Sequence, residues 1–123
     1  MRGLVLLAAL AGLAGCTDLG EEADPPAGTF TSFLADVSPI LTGNCVACHG
    51  AGGYGGLDLS THAGVMAGGA SGPAVVAGDP EASRLVQRIS ATDAAQRMPL
   101  GGQLAAAQIL IIRHWIEEGA EEN

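Results

Sequence analysis

Apolar positions along the chain fall into three patterned stretches separated by one long unpatterned span. From Thr31 to about Thr42, "TSFLADVSPILT" sets Phe33, Leu34, Val37, Ile40 and Leu41 at helical spacing, with Thr31 or Thr29 available as an N-cap. Pro39 withholds an N–H and crowds the preceding turn, so it should bend this helix or end its first part. Gly43 suits the stop. A second helix is predicted in "GDPEASRLVQRIS", with Asp79 as N-cap, Pro80 at the first helical position and Glu81 near the positive helix end. Its buried stripe is Ala82, Leu85, Val86 and Ile89. The third, "LAAAQILIIRHWIEEG", closes at Gly119. Leu104, Ile109, Ile111, Ile112, Trp115 and Ile116 share one broad arc, while Arg113, His114, Glu117 and Glu118 lie opposite, so His114 points to water. Between the first two helices, Leu57 to Leu59 reads as a short extended piece and Ser60 as the cap of a single turn ending at Gly68. The rest of that span is loop, and a loop of such length in a small domain is expected to wrap a ligand.

The chain opens "MRGLVLLAALAGLAGC", one arginine and then an apolar run too short to cross a bilayer, which is the pattern of a secretory signal over residues 1–15. The small residues before Cys16 resemble the lipobox of bacterial lipoproteins, which implies cleavage before Cys16 and acylation of its sulfur and new amino group. The protein is therefore expected to be exported and lipid-anchored on the periplasmic side of a bacterial membrane or at the cell surface. After Cys16, "TDLGEEADPPAG" is acidic, rich in Pro and Gly, and has nothing to bury. It reads as a flexible tether over 16–28 that reaches roughly 20 Å as a coil. One folded domain, 29–123, remains.

Composition sharpens this picture. The domain has just four aromatic residues, Phe30, Phe33, Tyr54 and Trp115, and ten glycines between Gly50 and Gly78, so its own side chains make a thin core. Something else should fill the middle. The formal charge is −8, and loss of Arg2 on processing takes it to −9 with no lysine anywhere. A chain this acidic is repelled by phosphate backbones, which argues against a nucleic-acid partner.

What fills the middle is suggested by "NCVACHG". In a C-x-x-C-H sequence two thiols add across the vinyl groups of a haem and the adjacent histidine lies under the iron. Cys45 and Cys48 would be the thioether anchors and His49 the axial nitrogen. A redox disulfide normally opens a helix after a strand, whereas here a helix precedes the motif. Structural zinc needs a fourth ligand, and His62 and His114 are isolated. A plain disulfide closing so short a loop gains little. For the sixth iron ligand the candidates are Met66, Met98, His62 and His114. His114 faces water, and Met66 and His62 sit in the glycine-rich span. Met98, in "QRMPLGG" with Pro99 stiffening the chain after it, is favoured as the ligand over a gap-filling role. Arg84, Arg88 and Arg97 are candidates for a haem propionate, but a solvated face with a local Glu81–Arg84 pair is the preferred reading.

The helix, then "CVACHG", then a distal "RMP" before an amphipathic C-terminal helix resembles the small single-haem cytochromes c. The finer pattern, "DVSPIL", "GLDLS", "SGPAVVAGDPEASRLVQRI", "RMPLGG" and "IIRHWIEEGA", looks like the planctomycete-type cytochrome c domain, over roughly Phe30 to Ala120. The resemblance implies one covalent haem c at Cys45 and Cys48, with axial ligation by His49 and Met98. It implies an all-α cytochrome c-like fold, with the N- and C-terminal helices crossing over the haem, Phe33 or Val37 near Trp115, and a long Gly-rich loop. The reading that follows is a carrier of single electrons between redox partner proteins and not an enzyme, since one haem motif and no second titratable cluster leave little room for substrate chemistry. The rival is a haem sensor or ligand-binding domain in which the sixth ligand is labile. Many cytochromes c dock through lysines around the haem edge; this chain has none, so that route of charge steering is in doubt.

Overall fold

The computed structural model describes residues 29–123. The expected signal segment 1–15, Cys16 and the tether to residue 28 lie outside the described residues. Within them the chain is helical, with no strand; the β pairing is one isolated bridge between Gly69 and Gly72. No helix among them is long and apolar enough to cross a membrane.

The N-terminal helix, α1, opens as a π-helical turn, Phe33–Val37, and continues as an α-helix, Ser38–Asn44. Pro39 accounts for the change of register. Its ring would crowd the Ala35 carbonyl of a regular α-helix, and the turn that precedes it is widened, with Val37 N–H donating to Ser32 O at 3.2 Å. Ser32, rather than Thr31 or Thr29, caps the start, its Oγ accepting from Ala35 N–H at 3.1 Å. The end falls at Asn44, one residue beyond Gly43, and Cys45 takes the C-cap with its N–H on Leu41 O at 2.8 Å.

Helix α2 is His62–Ala67, capped by Thr61, whose Oγ1 accepts from Gly64 N–H, and stopped by Gly68 at φ +71°. The expected cap at Ser60 is displaced because the Ser60 hydroxyl is already donating to Asp58 Oδ1 at 2.5 Å. Helix α3, Arg84–Ser90, starts later than its sequence pattern suggests. Asp79 does cap, but its Oδ1 holds Ala82 N–H in an isolated turn, leaving Ala82 exposed. The core position falls instead to Ser83. Its fully buried hydroxyl accepts from Val76 N–H at 2.9 Å and donates to Asp79 O at 2.8 Å, so the polar atom is satisfied. Helix α4 is Ala106–Glu117, and Gln108 reaches back to accept from Ala105 N–H at 3.2 Å.

The core joins α1 to α4. Val37, Leu41, Val65, Ile112 and Ile116 are fully buried, and Leu85, Val86, Ile89 and Leu104 extend the cluster to α3. Phe33 meets Trp115 at 5.3 Å between ring centroids, the proximity expected from the family resemblance. The last residues then fold back over this end. Trp115 Nε1–H donates to Glu121 O at 2.9 Å, Asn123 Oδ1 accepts from Phe33 N–H at 2.9 Å, and Asn123 O accepts from Leu34 N–H at 3.2 Å. The tail thus satisfies two of the first N–H groups of α1, those of Phe33 and Leu34, beside the one held by Ser32. The sequence pairing of Glu81 with Arg84 is not formed; Glu81 makes its ion pair with Arg113 across to α4.

Candidate functional site

The site begins where α1 ends. Cys45 O accepts from both Cys48 N–H (3.1 Å) and His49 N–H (2.8 Å), so C-x-x-C-H is one tight turn that continues the helix direction. Residues three apart on such a turn share a side, which sets the two thiols as a pair. Both are free. Cys45 is half-buried against the core, and that burial, with the neighbouring Cys48 second, pushes its thiol above the ordinary cysteine value. Cys48 is exposed.

The chain then doubles back to hold His49. Leu59 N–H donates to His49 O at 2.7 Å, and Tyr54 N–H to Cys48 O at 3.0 Å. The ring nitrogen Nδ1 lies 3.2 Å from Tyr54 O. A carbonyl only accepts, so Nδ1 carries the proton, and in the neutral ring Nε2 keeps its lone pair for a metal. This return is possible only with glycine at 53, where a Cβ would stand 2.4 Å from Cys48 O. Tyr54 O and Gly53 are the parts of the site that the sequence reading missed. The signal available was the glycine run itself, Gly52, Gly53, Gly55 and Gly56, which marks backbone approaching backbone.

The four sixth-ligand candidates have different fates. His114 is exposed on α4. Met66 packs against the core. His62 is committed: its Nε2 donates to Ala120 O at 2.7 Å, its ring stands edge-on to Phe33 at 5.0 Å, and Nδ1 lies 3.8 Å from Glu122. Met98 is half-buried, outside the core cluster, on a loop whose backbone is fixed. Its N–H donates to Arg88 O at 3.0 Å, and Arg88 Nη1 donates to Gln96 O at 3.0 Å. Arg97 Nε donates to Gly102 O at 3.0 Å and closes the other side of Met98. Two of the three arginines weighed for a propionate therefore brace this loop. Among the described residues no hydrogen bond joins the Met98 loop to the cysteine turn.

Residues 45–99 match the family model for planctomycete cytochrome C. Residues 45–99 are a planctomycete cytochrome c domain. The match runs from the first thiol of the turn to the proline after Met98. No significant match was found among curated proteins or among solved structures. A cytochrome c domain implies covalently bound haem, and the residues present fit it. Two unpaired thiols share one turn, and an imidazole nitrogen beside them is free to coordinate.

Proposed function

We propose that this haem c protein is a single-haem electron carrier, exported and held near a bacterial membrane by a lipid on Cys16, which passes electrons one at a time between redox proteins. In this reading Cys45 and Cys48 hold the haem through thioethers, and His49 Nε2 and the Met98 sulfur are the axial ligands. The bound haem would supply an iron centre that alternates between ferric and ferrous states. Helices α1 and α4 would form the crossing pair that supports it, and the Gly-rich span and the Met98 loop would supply its surroundings.

The carrying observation is the grip on both ligand positions. His49 is fixed through its N–H, its carbonyl and Nδ1, and the Met98 backbone is fixed to Arg88. Rigid axial positions suit electron transfer, because ligation that persists in both oxidation states keeps the geometry change small and shuts out exogenous ligands. The test is spectroscopic, on the full chain matured with haem. A near-infrared sulfur-to-iron charge-transfer band in the oxidised protein, with no carbon monoxide binding in the reduced protein, is the expected result. Absence of the band with ready carbon monoxide binding assigns the protein to ligand sensing instead.

A further inference from the structure

Charge is distributed unevenly along this chain. From Val37 to Gly78 the only Asp, Glu, Lys or Arg is Asp58, and from Met98 to Ile112 there is none. Those two runs contain Cys45, Cys48, His49 and Met98. The acids gather elsewhere: Glu117, Glu118, Glu121 and Glu122 lie in the last seven residues, beside Asp36. The structure puts that acidic group at the start of α1, where Glu118 Oε2 accepts from Thr31 N–H at 2.7 Å and Asp36 Oδ2 from Ser32 N–H at 2.8 Å. The cysteine turn is at the other end of the same helix, twelve residues on, or about 18 Å at the helical rise. The screening length at physiological salt is about 8 Å, so the acidic end contributes little potential at the turn.

The surface at the turn has the character of an interface centre. A hollow of about 290 Å³ beside Cys48 is lined by Ala47, Gly52, Gly53 and Tyr54. Tyr54 is 77% exposed although its backbone is held on both sides. Fixed tyrosine amid small uncharged residues is costly to leave in water and cheap to desolvate against a partner, and interface centres are depleted in charge and enriched in aromatics.

We propose that electrons enter and leave through this uncharged face, with Tyr54 as its aromatic anchor, and that its occupant is a redox protein presenting a similarly uncharged apolar patch. The proposal rests on the electron-carrier reading. Its premise is complementarity: a charged partner patch would be desolvated here without a counter-charge from residues 37–78, whose one charged side chain, Asp58, is tied to Ser60.

A second copy of the chain supplies a patch of the required kind, so the probe is electron self-exchange. One reduced copy gives one electron to one oxidised copy, and NMR line broadening of the haem-loaded full chain reads the rate. Self-exchange is expected to change less than about threefold between low and high salt, because the screened acidic end is remote from the contact. Ala51→Glu, at an exposed position between His49 and Tyr54, should slow it about tenfold or more by facing like charges across the contact. Ala51→Gln should keep the parent rate. Glu117→Gln, at the acidic end, should leave it unchanged although it alters the net charge by one unit, in the opposite sense to Ala51→Glu. Equal and opposite effects of Ala51→Glu and Glu117→Gln would show that net charge alone governs the encounter and would overturn the proposal, as would an Ala51→Glu rate equal to the parent's. Slowing by Ala51→Gln as large as by Ala51→Glu would also count against it. Failure of the carrier reading looks different: the parent protein itself would bind carbon monoxide and show no self-exchange.

Discussion

The two ends of α1 are made of opposite materials, and the contrast explains what each is for. At the N-terminal end Phe33, His62 and Trp115 pack ring against ring, with centroids 5.0 to 6.0 Å apart, and Asn123 accepts from the N–H groups of Phe33 and Leu34. At the C-terminal end five glycines lie between Gly50 and Gly56, both thiols are free, and Tyr54 projects into water. One end is finished by its own side chains. The other has precise backbone bonding but no side-chain bulk, which is how a protein prepares for a large rigid group that it does not encode. Of the other residues weighed as a sixth ligand, His62 is taken up by Ala120 and Phe33 in the finished part, Met66 packs against the core and His114 faces solvent.

The largest effect that sharpens this contrast is removal of both thiols. In a Cys45→Ala/Cys48→Ala protein, denaturation followed by mass measurement should find no haem on the polypeptide, whereas the parent should retain it. Retention of haem mass by the double variant would remove the basis for the thioether assignment. Next comes Trp115→Ala, which empties the finished end; it should cost about 3–5 kcal/mol in chemical denaturation while leaving the axial-ligand bands of the folded fraction in place. Gly53→Ala attacks the open end alone. Its Cβ has nowhere to go beside Cys48 O, so a loss of about 1–3 kcal/mol is expected together with weakened His49 anchoring, read as a shift in midpoint potential.

The smallest effect concerns pH. The Ser60 hydroxyl first, and the Ser60 N–H second, hold the Asp58 carboxyl below its ordinary value. A depressed folded-state value means that Asp58 contributes stability above the unfolded carboxylate range and loses it as pH falls through the folded value. Melting temperatures of the parent and Asp58→Asn should therefore differ slightly near neutrality and converge in acid. A difference that persists at low pH would place the effect of the substitution elsewhere.

Sequence carried the helices best where packing and period agree. Ile112, Trp115 and Ile116 are buried as the α4 pattern requires, and the C-x-x-C-H spacing announced its chemistry without any structure. It failed at starts and in loops. Asp79 and Pro80 have the chemistry of a helix opening, yet the helix waits for Arg84 because Ser83 is drawn into the core by Val76 N–H and Asp79 O, a tertiary bond that no local pattern encodes. His62 read as an isolated residue of the glycine-rich span; its partners Ala120 and Phe33 are distant in sequence. Tyr54 was a rare aromatic, and only the fold reveals that its carbonyl, not its ring, orients His49.

The measurement that bears most directly on the contrast is amide hydrogen exchange on the full chain prepared with and without haem. With haem, the loops 50–56 and 93–103 should become strongly protected, while α4 and the start of α1 retain protection in both preparations. Loops equally protected in the haem-free chain, or an α1–α4 pair that gains as much protection as the loops do, would contradict the account that haem completes one end of a structure whose other end completes itself.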